Sequence, residues 1–107
     1  MGLMISSGKE SKLVIKDQVS DSITLIVDDA KLGVNVAKPE ANLHVAGDVN
    51  LMGKHMFSAS APPTSGSHSM GDIVWNNNPG PTKPIGWVCV QEGAPGIWAV
   101  FGRIESV

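Results

Sequence analysis

Apolar residues recur along the first half of the chain in short groups. Leu13/Ile15, Ile23/Leu25/Val27, Leu32/Val34/Val36, Leu43/Val45 and Val49/Leu51 each set their members two positions apart. That is the period of a strand with one covered face. The intervening stretches, such as Lys16-Asp17-Gln18, Asp28-Asp29-Ala30-Lys31 and Lys38-Pro39-Glu40, are polar and read as turns. Successive groups begin 10, 9, 11 and 6 residues apart, which fits no defined solenoid repeat. Met1–Glu10 reads as a polar lead-in. In the last third, Asp72–Trp75, Trp87–Val90 and Ile97–Ile104 read as three strands. Asn76–Pro84 and Glu92–Gly96, rich in Asn, Gly and Pro, are the turns between them. The best helical stretch, Ala37–Leu43, is interrupted by Pro39. The expected fold is therefore all-β.

The aromatic residues divide this pattern. Residues 1–56 hold none, and all three tryptophans lie between Gly71 and Ile104. The reading is a slender β-shaft over 1–56, a Ser/Pro-rich linker over 57–70 and a small antiparallel β tip over 71–107. Each shaft strand offers two or three medium aliphatic side chains. Burying one is worth about 1.5–3 kcal/mol, whereas ordering each residue costs about 1–2 kcal/mol. A thin meander cannot close that gap alone, and small scaffolds close it with disulfides, metals or association. One cysteine excludes an internal disulfide framework. Association remains, most simply a fibrous homotrimer with Val34, Val36, Leu43, Val45, Val49 and Leu51 facing a shared interior. The net charge of −2 implies neither nucleic acid nor an anionic membrane as partner. No apolar run approaches the roughly 18 residues of a membrane span, and no signal-peptide pattern opens the chain.

Several stretches also look familiar. Leu32-Gly-Val-Asn-Val36, Ala37-Lys-Pro-Glu-Ala-Asn-Leu-His-Val45 and Ala46-Gly-Asp-Val49 resemble a segment that recurs in fibre and spike proteins of tailed bacteriophages. Gly71-Asp-Ile-Val-Trp-Asn76, Ile85-Gly-Trp-Val-Cys-Val90, Pro95-Gly-Ile-Trp98 and Phe101-Gly102 resemble a small C-terminal β module of the same proteins. Together these stretches fall within residues 32–49 and 71–102, about half of the chain. The resemblance implies an interwoven homotrimeric β-shaft capped by a trimeric tip, made in the host cytoplasm and carried on the virion beside other tail proteins. It also implies contact with the bacterial surface, its polysaccharide or lipopolysaccharide. The long parallel β-helix of enzymatic spikes has no room here. Two other readings stand beside this one: a monomeric carbohydrate-binding module, and an accessory C-terminal domain of a polysaccharide depolymerase.

Candidate chemistry is sparse. Asp28-Asp29 lies in a turn, where adjacent carboxylates point apart and do not straddle a glycosidic bond. Cys89 sits between Val88 and Val90 with no neighbouring base, which reads as an inert buried thiol. The serines of Ser58–Ser69 lie in no nucleophile context. The expectation is a non-enzyme without cofactor. His44, His55 and His68 are scattered and form no His-x-His pair, so the sequence gives no metal site. Trp87 and Trp98 read as core of the tip. Trp75, followed by Asn76, Asn77 and Asn78, is the best case for a glycan contact, with the ring stacking on a sugar and the amides bonding its hydroxyls.

Overall fold

The computed structural model describes residues 12–20 and 22–106; the expected lead-in Met1–Glu10 lies outside them. The described residues form nine strands and no helix, in two mixed sheets. The chain divides into two units between Gly47 and Asp48. Each unit contains one sheet.

The first unit holds β1 (Lys12–Lys16), β2 (Ile23–Asp28), β3 (Lys31–Val34) and β4 (Leu43–Val45), paired in that order. The β1–β2 and β2–β3 pairs are antiparallel and β3–β4 is parallel. Each strand coincides with one of the apolar groups read from the sequence. The β2–β3 turn has only Asp29 and Ala30 between the paired Asp28 and Lys31, both in the left-handed region. Such turns match the right-handed twist of the flanking strands. Residues directly opposite in a ladder share a face. The pairings Leu13↔Val27, Ile15↔Leu25, Leu25↔Val34, Val27↔Leu32, Leu32↔Leu43 and Val34↔Val45 therefore set eight aliphatic side chains on one face. None of the eight is buried, and Leu43 is 60% exposed. The opposite face carries Val14, Ile26 and Gly33, and Ile26 is buried.

Val36 departs from the expected stripe. Asn35 has a φ of 59°, which breaks the alternation of an extended chain. Val36 consequently turns over the Ile26 face rather than sharing the face of Val34. A Cβ on Gly33 would lie 2.8 Å from Val36 Cγ1 and 2.9 Å from Ile26 Cγ2, so only glycine lets Val36 come down there. Asn35 N donates to Thr24 O at 2.9 Å and holds this bend against β2.

The second unit holds β5 (Val49–Leu51), β6 (Lys54–Ala59), β7 (Ile73–Asn76), β8 (Pro84–Gln91) and β9 (Ile97–Arg103) in sequential order. The meander β7–β8–β9 is antiparallel, as its apolar pattern predicts. Two features were not legible. Phe57–Ala59 belongs to β6, and β6 pairs β7 in parallel. The 57–70 stretch, expected to link two units, thus lies inside the second one. Val49 and Leu51 sit in this second sheet, paired to β6, and so belong to a different unit from Val34, Leu43 and Val45. The buried apolar residues here are Val74 and Cys89. Their face also carries Phe57, Trp87 and Trp98 by register.

Candidate functional site

The predicted glycan-contacting residues lie where β7 runs into the 77–83 loop. Asn76 is half-buried and committed to the scaffold. Its Nδ2 donates to Pro84 O at 2.9 Å and its Oδ1 accepts from Asn78 N at 2.9 Å. Asn77 N donates to Ala59 O at 3.0 Å, which ties the loop base to the end of β6. The side chains of Asn77 and Asn78 are exposed and form no hydrogen bond with described residues. Trp75 is 41% exposed and its ring centroid lies 5.7 Å from that of Phe101. Trp75, Gly86 and Phe101 are matched across three strands, so the two rings meet above a position without a side chain. Trp87 and Trp98 lie on the opposite face and are half-buried, and Trp98 Nε1 donates to Pro95 O at 2.9 Å. The structure therefore separates the four candidates: Trp75, Asn77 and Asn78 are available to a ligand, and Asn76 holds the turn.

A second group assembles around the 60–72 loop. His68 pairs with Gly93 through two backbone hydrogen bonds of 2.9 and 3.2 Å. Its ring stacks on Phe57 at 6.0 Å and meets the edge of Trp98 at 5.3 Å. Asp72 is 3% exposed. Its Oδ1 accepts from His55 N at 3.2 Å and its Oδ2 from Ser69 N at 3.0 Å. His55 Nε2 lies 2.6 Å from Asp48 Oδ2, and this hydrogen bond holds the Asp48 carboxyl below the ordinary carboxylate range. One ligand-capable atom from each of His55, His68 and Asp72 falls within 4.8 Å of the others. The cleft beside them is polar, lined by Asp48, Asn50, Gly53, His55, Ser67, Ser69 and Asp72.

Sequence spacing did not signal this cluster. His55 and Asp72 stand 17 residues apart and meet because β6 and β7 run in parallel, with the loop returning between them. His44 is separate, in the first unit, where its Nδ1 accepts from Glu40 N at 3.1 Å. The other chemistry-bearing residues have structural surroundings. Asp29 lies 3.6 Å from Lys31 across its own turn, and the buried Cys89 Sγ donates to Gln91 O at 3.3 Å. No described helix is long and apolar enough to cross a membrane. No family of known proteins, no curated protein and no solved structure matches the chain.

Proposed function

We propose that this chain is a structural and attachment segment of a bacteriophage tail fibre or spike, working as a homotrimer without catalysis. The observation that carries the reading is the aliphatic face of the first sheet, where no side chain is buried and Ile15, Val27 and Leu43 are exposed. Eight aliphatic side chains share it, and among the described residues only Ile26, Val74 and Cys89 are buried apolar side chains. Thirteen large apolar side chains among the described residues are exposed. A chain that is 42% hydrophobic with so little internal core gains most by covering that face with further copies of itself. The resemblance to phage fibre segments supplies the biological setting, including assembly with other tail proteins on the virion.

Attachment is assigned to Trp75 with Asn77 and Asn78. An exposed indole stacks on a sugar face, and two uncommitted amides match sugar hydroxyls. A trimer presents the loop three times, so weak single contacts on a repetitive bacterial polysaccharide or lipopolysaccharide add through avidity. Light scattering tests the assembly: the expected mass is about three times the 11.2 kDa chain. A folded monomer at low micromolar concentration would overturn it and favour the monomeric carbohydrate-binding module. Replacing Asn77 and Asn78 together by Ala, with mass and circular dichroism unchanged, should weaken binding to purified envelope glycan. Unchanged binding would reduce the loop to scaffolding.

A further inference from the structure

We propose that His55, His68 and Asp72 form a binding site for one divalent transition-metal ion, zinc by the character of its donors, which clips the 60–72 loop to the second sheet. The donors are two imidazoles and a carboxylate. Imidazole ligation selects zinc and its first-row neighbours over magnesium and calcium, which favour all-oxygen sites. Three observations point to an ion rather than to a chance cluster. The first is His68. Its Nε2 contacts Ser65 O at 3.2 Å. A carbonyl only accepts, so Nε2 carries the proton and Nδ1 presents a lone pair. That Nδ1 is buried and has no hydrogen-bond partner among the described residues, a costly arrangement unless it serves as a ligand.

The second is Asp72, a buried acid with no Lys or Arg among the described residues within 4.0 Å. Its two backbone hydrogen bonds leave further lone pairs on both oxygens. A cation between it and the imidazoles supplies the missing counter-charge. The third is the outer ring of partners. Asp48 bonds one nitrogen of His55 and the Ser65 carbonyl bonds one nitrogen of His68. Metal-bound histidines are oriented in this way, by a carboxylate or carbonyl on the opposite ring nitrogen. Tetrahedral zinc would hold its ligand atoms about 3.4 Å apart. The three atoms lie within 4.8 Å, so small side-chain rotations complete the site. The polar cleft beside His55 and Asp72 gives the ion access and leaves room for water in the fourth position.

The test uses the full chain, stripped with a chelator and titrated with zinc by calorimetry, and with cobalt(II) by visible absorption. The expected result is one ion per chain, an intense cobalt band of tetrahedral type, and a raised thermal midpoint that EDTA reverses. His68→Phe keeps the ring between Phe57 and Trp98 but removes both nitrogens. It should weaken zinc binding by at least about 100-fold. His55→Ala should do the same, and it decides the matter if His68→Phe misfolds. Asp48→Ala should cost about 10–100-fold by releasing His55, and His44→Ala should change nothing. Binding well below one ion per chain at micromolar zinc would overturn the proposal. So would zinc affinity that survives both His68→Phe and His55→Ala.

Discussion

Asp29 and Ala30 occupy the left-handed region with φ of 51° and 60°. Asp tolerates that conformation through local hydrogen bonding, whereas for an alanine it costs about 1–2 kcal/mol. Glycine removes the cost but adds about 0.5–1 kcal/mol of unfolded-state entropy to be lost. Ala30→Gly should therefore stabilise the first unit by about 0.5–1 kcal/mol, read as a higher urea midpoint with unchanged slope. An unchanged or lower midpoint would mean the turn is built otherwise. The same geometry explains one limit of the sequence reading. That Asp28-Asp29 forms a turn was legible from residue type. That Val36 leaves the face of Val34 was not, because it depends on Asn35 adopting a φ of 59°, which an Asn tolerates without being obliged to adopt. Asn76, Asn77 and Asn78 look equivalent as letters, yet only Asn76 is reached by both the Asn78 amide and the Pro84 carbonyl.

Among the elements, the strands whose apolar residues alternate were legible and their partners were less so. β1 to β5 and β7 each coincide with a group whose apolar residues stand two apart, and β8 and β9 with longer apolar runs. β6, Lys54-His-Met-Phe-Ser-Ala59, carries no β-branched residue and runs into a Ser/Pro stretch, so its composition masks it. Its parallel pairing with β7 is a tertiary choice, and it is this pairing that gathers His55 and Asp72. The central strand β8 has a steric demand of its own. Gly86 is buried, and a Cβ there would run into the Val74 carbonyl oxygen and come within 3.3 Å of Trp75 Cα. Gly86→Ala should push β7 and β8 apart and unseat the Trp75–Phe101 pair. The expected loss is about 1–3 kcal/mol, measured by urea unfolding followed through tryptophan fluorescence. A variant as stable as the parent would show that the strands separate freely at this point.

For the molecule as a whole, the decisive quantity is what covers the aliphatic face of the first sheet. Leu43 is its sharpest probe because it is 60% exposed on its own chain. If the chain works as a monomer, Leu43→Asp is a surface change worth within about 0.5 kcal/mol, and solubility should improve. If copies share the face, symmetry repeats the substitution and buries three unpaired carboxylates together, each costing several kcal/mol. The expected outcome is loss of the trimer, seen as a fall in light-scattering mass or as insoluble chain. Val36→Ala supplies the contrast. Val36 packs over Gly33 and Ile26 within its own unit, so its truncation should lower the unfolding midpoint while leaving assembled mass intact. Because assembly and folding are linked by mass action, the parent's midpoint should also rise with chain concentration and that of Leu43→Asp should not. A soluble Leu43→Asp protein of unchanged mass and unchanged concentration dependence would place the eight aliphatic side chains in water and remove the physical ground for the trimer.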